Sequence, residues 1–258
     1  MTYEMEGEGL PLVFIHEVAT DHRLWTHQRS YFQRSYRVIT VDVLGHGQAT
    51  WPEHELTIEH AARRVQQLIE RLGVGPVFVI GVSMGAIIAM HIALNAPALI
   101  QGLVPVSAWS RANGHMQSLI DRLYRLAEAG DMTTYTTMFL RHMFPAADLE
   151  SPLPEVVWLR MLALEQPAQA VAYAWAACLA ADLSARLGEI RVPSLIIAGL
   201  NDFFTPPYLA RAVAAGLSDV EVEVWEDTGH FPFLEDPVRF NRRLEAFILR
   251  CMVRDMPT

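Results

Sequence analysis

A chain of 258 residues, 52% apolar and 19% charged, can bury a large core and is too apolar to stay disordered. Its net charge of −9 leaves no basic patch to neutralise phosphates, which excludes nucleic acid as the expected partner. The two cysteines, Cys178 and Cys251, are far apart and offer neither a disulfide framework nor zinc-ligand spacing. They fit a reducing cytoplasm, as does an acidic start that lacks the basic residues of a signal peptide.

Strands and helices alternate along the chain, which predicts an α/β fold with a mostly parallel central sheet and helices on both faces. One strand is expected near 3–6, another over 12–16, a short helix over 21–30 and a strand over 37–42. Thr57 caps an amphipathic helix to about Leu72, with Ile58, Ala61, Ala62, Val65, Leu68, Ile69 and Leu72 on one face. The apolar stretch 76–94 is long enough to raise a membrane span, but Gly81, Ser83 and Gly85 interrupt it. It reads instead as a buried strand over 77–80, a sharp turn and a buried helix over 86–94. A strand over 102–107 follows. Four helices are then expected, over 116–129, 132–143, 155–164 and 168–187, separated with the help of Pro145, Pro152, Pro154 and Pro167. About eighty residues between two strands are too many for a plain loop, so 108–190 reads as a helical insertion into a core of 1–107 and 191–258. A strand over 192–199, a helix over 206–216, a strand over 220–226 and a helix over 237–251 complete the core.

Gly81-Val82-Ser83-Met84-Gly85 places a serine on a strand-to-helix turn with glycines two residues to either side, the G-x-S-x-G nucleophile elbow. A serine hydroxyl needs a neighbouring base, and the base needs an acid to fix its tautomer. Asp202 follows the strand that ends at Gly199, and His230 follows the strand that ends near Glu226. Ser83, Asp202 and His230 are thus expected at one sheet edge in the order acid–base catalysis on such a sheet uses. The remaining histidines show no metal spacing. His16 and Asp42 read as loop braces, and His91 as a satisfied core histidine.

These segments resemble the α/β-hydrolase superfamily over nearly the whole chain. The matching stretches are Val13-Phe14-Ile15-His16, Asp42-Val43-Leu44-Gly45-His46-Gly47, the elbow, Ala198 to Asp202, and Gly229 to Pro237. The helical insertion corresponds to that family's cap domain. Thr20-Asp21 with Trp25, and Ser83-Met84-Gly85, look most like the 3-oxoadipate enol-lactonase and cofactor-free haloperoxidase/esterase branch. The resemblance implies an oxyanion hole from the backbone N–H groups of Val18 and Met84, with no metal and no organic cofactor.

The chain departs from the family at Glu17, where glycine usually follows the histidine. Two readings stand. Glu17 faces solvent or pairs with an arginine, or it enters the pocket to bind a cationic group or shuttle a proton. Trp109 and Phe231 are further candidates to line the pocket. A single strand before Leu12 leaves an edge that a partner copy could cover. The expected activity is hydrolysis of a small or medium ester, lactone or thioester through an acyl-enzyme on Ser83, with a small-molecule substrate and no membrane partner. Acyl transfer to another nucleophile at the same site is an alternative, as is a non-hydrolytic isomerase, cyclase, lyase or ligand receptor on the same fold.

Overall fold

The computed structural model describes residues 1–50, 56–144 and 154–254. Pro145 and Pro152, expected to break helices, lie outside these residues. Within them the chain forms a seven-stranded sheet: β1 (Thr2–Glu6), β2 (Pro11–Ile15), β3 (Arg37–Asp42), β4 (Val77–Val82), β5 (Ile100–Val106), β6 (Ser194–Gly199) and β7 (Val220–Trp225). The spatial order is β1-β3-β2-β4-β5-β6-β7, with β1 antiparallel to β3 and the other neighbours parallel. The central strands β2, β4 and β6 are buried at every residue, as continuous apolar runs covered on both faces should be. β1 alternates half-buried and exposed residues, as an edge strand with one face to water does.

The helices are α1 (Thr26–Phe32), α2 (Ile58–Leu72), α3 (Met84–Asn95), α4 (Gly114–Glu128), α5 (Met132–Met143), α6 (Pro154–Glu165), α7 (Ala168–Ala180), α8 (Pro207–Gly216), α9 (Pro232–Glu235) and α10 (Pro237–Arg254). Thr57 starts α2 by accepting from the His60 N–H, and Gly73 ends it in the left-handed region at φ 58°. Helix α3 has no polar stripe, and every residue from Met84 to Leu94 is buried. Strand β4 and helix α3 thus account for the apolar stretch 76–94, and no described helix is long and apolar enough to cross a membrane.

Two expected helices differ from the structure. The segment 21–30 divides into a 3₁₀ turn, His22–Trp25, capped by Asp21, followed by α1. The helix expected over 168–187 stops at Ala180. Tertiary hydrogen bonds overrule its propensity: Asp182 accepts from the N–H and hydroxyl of Ser184, Leu183 N–H donates to the Ser110 carbonyl, and Asp182 bridges Arg111. Helices α4 to α7 all fall between β5 and β6, so the long connection leaves the sheet at the C-terminal end of β5 and rejoins it at the start of β6.

Candidate active site

Ser83 stands between β4 and α3 with φ 56° and ψ −117°, a backbone conformation costly for any residue but glycine. Close packing holds it there. A Cβ on Gly81 would lie 2.2 Å from the Gly85 carbonyl oxygen, and one on Gly85 would lie 2.3 Å from that of Ile15. The strand, the helix and the end of β2 approach so closely that only hydrogen fits at both positions. The Ser83 N–H donates to the Val106 carbonyl at 3.0 Å, which ties the turn to β5. Helix α3 begins at Met84, so the Met84 N–H belongs to the first helical turn, whose donors have no acceptor within the helix.

Asp202 and His230 are brought together. His230 Nδ1 lies 2.7 Å from Asp202 Oδ2, and both side chains are buried. The other oxygen of Asp202 accepts from the N–H groups of Phe204 (2.9 Å) and Thr205 (2.8 Å), and the Thr205 hydroxyl donates to Oδ2. The carboxylate is thereby fixed with one oxygen toward the imidazole, and Nδ1 carries the proton. The backbone around His230 is held at three points. The Ser107 hydroxyl donates to its carbonyl at 2.8 Å, and its own N–H donates to Met143 O at 3.1 Å. Glu235 accepts from the N–H groups on either side, Gly229 at 2.8 Å and Phe231 at 3.0 Å. Thr205, Ser107 and Glu235 had no role in the sequence reading. Only Thr205 leaves a local signal, three residues after Asp202, where a short polar turn would place it.

The contact between serine and histidine is not made. Neither Ser83 Oγ nor His230 Nε2 has a hydrogen-bond partner among the described residues. Nε2 instead lies 3.5 Å from Glu17 Oε2.

Glu17 enters the site, which corrects the reading that it faces solvent or pairs with an arginine. Its side chain is 0% exposed, and neither oxygen accepts a hydrogen bond among the described residues. Burial pushes its carboxyl up to about 7, against the pull of His230. Burial alone would lower His230, but Asp202 and then Glu17 outweigh it and raise the imidazole to about 10. The Glu17 carbonyl is gripped from behind by the His16 Nδ1–H (2.6 Å) and the Thr20 hydroxyl (3.1 Å). In a trans peptide the following N–H, that of Val18, points the opposite way.

The ring of Phe231 meets His230 edge-on at 5.1 Å between centroids, and Phe204 does the same at 5.6 Å. Trp109 packs edge-on against Phe204 at 5.8 Å, and its Nε1–H is buried without an acceptor among the described residues. Both pocket candidates therefore lie in the aromatic shell around the histidine, Phe231 directly and Trp109 one ring away.

His16 is a loop brace as expected, its Nε2 accepting from the Val43 N–H at 2.9 Å. Asp42 accepts from the N–H groups of His22 and Gln48, each at 2.9 Å. His91 is buried, but its Nδ1 has no partner among the described residues, so it is less satisfied than the sequence suggested. Asp21, His22 and Asp42 bring ligand-type atoms within 4.8 Å of one another, a proximity that spacing did not reveal. Those atoms are already engaged, His22 Nδ1 with Asp42 at 2.7 Å and Asp21 with the Arg23 guanidinium.

This sheet order and elbow define a class. The chain belongs to the α/β hydrolase fold family, whose profile matches residues 11–237. It is similar to the (E)-2-((N-methylformamido)methylene)succinate hydrolase of Acinetobacter baylyi, 26% identical over 95% of this chain and 93% of that protein. Among solved structures, a hydrolase from Pseudomonas aeruginosa superposes with a TM-score of 0.88 at 27% identity, covering 95% of this chain and 93% of that one. The enol-lactonase of Burkholderia xenovorans shares the fold, with a TM-score of 0.89 at 23% identity over 96% of both chains. The chain is an enzyme of the hydrolase type.

Proposed function

We propose that the chain is a serine hydrolase that cleaves a small or medium ester, lactone or thioester through an acyl-enzyme on Ser83. The observation that carries this reading is the strained Ser83 turn facing the same sheet edge as an imidazole whose Nδ1–H is fixed on Asp202 at 2.7 Å. His230 takes the serine proton as Oγ attacks the acyl carbon, and returns it to the leaving atom. The N–H groups of Val18 and Met84 hold the oxyanion, a role that the direction of the Glu17–Val18 peptide and the start of α3 both favour. Water then adds to the acyl-enzyme, giving its proton to His230 and releasing the acid and Ser83. Asp202 orients the imidazole and offsets its charge. Helices α4 to α7, in the segment 108–190, act as a cap over the site. The A. baylyi relative acts on an N-acyl compound by its name, which fits attack at an acyl carbon.

The resting arrangement adds a requirement. An imidazolium between Asp202 and an ionised Glu17 cannot accept a proton. Transfer of the Nε2 proton to Glu17 leaves a neutral base and a neutral acid at the same total charge. A fluorophosphonate probe tests the assignment: labelling should map to Ser83 and vanish in Ser83→Ala and His230→Ala. Undiminished turnover in Ser83→Ala would remove the reading and favour the non-hydrolytic alternatives.

A further inference from the structure

Four buried polar groups at one place lack partners among the described residues: Ser83 Oγ, His230 Nε2, Trp109 Nε1 and both oxygens of the Glu17 carboxyl. The first two wait for a substrate in any serine hydrolase. Glu17 is different, because burying a carboxyl with no donor is costly and most buried acids are paired. From the covering helices, Tyr135 of α5 and Cys178 of α7 lie within its electrostatic reach, and burial keeps both un-ionised, so neither supplies a cation. Neither the Tyr135 hydroxyl nor the Cys178 thiol hydrogen-bonds Glu17, and His230 Nε2 comes no nearer than 3.5 Å, which leaves the Glu17 carboxyl open to a donor on a ligand.

Its position says which part of the ligand. In the serine-hydrolase reading, Nε2 is the atom that hands a proton to the leaving atom. Glu17 Oε2 is 3.5 Å from Nε2. A leaving atom at hydrogen-bond distance from Nε2, about 2.9 Å, can also lie within hydrogen-bond distance of Oε2. An ester oxygen there brings only lone pairs to face those of the carboxyl. An amide nitrogen brings a hydrogen. A carboxyl offers an acceptor oxygen in either protonation state, so the match to N–H survives protonation, whereas the mismatch with an ester oxygen is full for the carboxylate and weaker for the acid, whose O–H can turn to that oxygen.

We propose that Glu17 is a specificity-determining residue that accepts a hydrogen bond from the leaving group, selecting acyl compounds whose leaving nitrogen carries N–H, as in secondary amides and carbamates. This rests on the serine-hydrolase reading and extends its substrates from oxygen- and sulfur-linked to nitrogen-linked acyl groups. After Ser83 Oγ has bonded to the acyl carbon, the nitrogen lone pair takes the proton from His230 Nε2. The C–N bond breaks with its electron pair on nitrogen. Glu17 holds the N–H throughout, so the amine departs neutral and the acyl group stays on Ser83.

The test is the ratio of kcat/KM for p-nitroacetanilide to that for p-nitrophenyl acetate, measured with the parent, Glu17→Leu and Glu17→Gln. A hydrogen bond to a carboxyl of this kind corresponds to about 10- to 100-fold. Glu17→Leu should lower the ratio by about that factor. Glu17→Gln keeps an acceptor oxygen and should hold the ratio within about threefold. An N-methylated anilide, lacking the hydrogen, should show no such drop in its own ratio. The proposal is overturned if the parent cleaves the ester but not the anilide, if the ratio is unchanged in Glu17→Leu, or if leucine and glutamine lower it equally. Circular dichroism confirms folding of each variant. Ser83→Ala run alongside separates the outcomes, since ester turnover that survives it defeats the serine-hydrolase reading instead.

Discussion

Replacing Glu17 by glutamine should change the stability of the protein by an amount that depends on pH. The folded carboxyl ionises at about 7, against an ordinary value of 4.5 in the unfolded chain. An acid raised in this way binds its proton more tightly when folded. Its favourable contribution is therefore full below pH 4.5 and is lost as pH rises to 7. Raising the ionisation from 4.5 to about 7 at about 1.4 kcal/mol per pH unit corresponds to roughly 3 to 4 kcal/mol in full, of which about 3 kcal/mol falls between pH 4.5 and pH 7.5. The side chain is wholly buried, so solvent screening does not reduce this figure. Glutamine does not titrate. His230, held up to about 10 in the parent, remains charged there across the window. Relative to the parent, Glu17→Gln should thus gain about 3 kcal/mol between pH 4.5 and pH 7.5, or about 6 to 12 °C in Tm for a chain of this size. Urea unfolding of both proteins at the two pH values measures it. A gap that stays constant within about 0.5 kcal/mol, the scatter of neutral surface changes, would show that the carboxyl is solvated and the burial argument wrong.

Activity should respond as well. Removing the Glu17 carboxylate lowers the His230 pKa, so the acid limb of kcat/KM against pH should move to lower pH in Glu17→Gln. Glu235→Gln puts an amide where two N–H groups now find carboxylate oxygens. It should cost about 1–3 kcal/mol in unfolding experiments and lower kcat more than it raises KM. Gly85→Ala forces a Cβ to 2.3 Å from a backbone oxygen, and should abolish soluble expression or lower Tm by more than 10 °C, on the order expected for a severe core clash. Thr205→Val removes a hydroxyl donor to Asp202 and should reduce kcat by about tenfold, the worth of one such bond, with circular dichroism unchanged.

Much of this fold is written in short stretches. Val77 to Ala89 can only be a buried strand, a tight turn and a buried helix, because the glycines and the apolar run leave no other packing. The positions of Asp202 and His230 after strands follow from the same local logic. Glu17 was not legible in that way. Its neighbours in sequence, His16 and Val18, specify the loop but not which way the carboxyl turns. That is decided by β2 abutting α3 at Gly85 and by His230, over two hundred residues away. Ser107 and Glu235 have no signal for a related reason, since each acts on the backbone of a residue distant in sequence or across a turn, and backbone donors and acceptors are the same at every position. The overlong α7 shows propensity yielding to hydrogen bonds supplied by Ser110, seventy residues earlier.

The bond from the His230 amide to Met143 O joins that histidine to the last turn of α5. Ser83, Glu17 and His230 are all sealed from solvent, so under the proposed cap a molecule reaches them only when the cap shifts. Any shift that draws the end of α5 away pulls on the backbone of the histidine itself. Under the proposed cap, admission of a guest and alignment of the imidazole would then be coupled mechanically through this one bond.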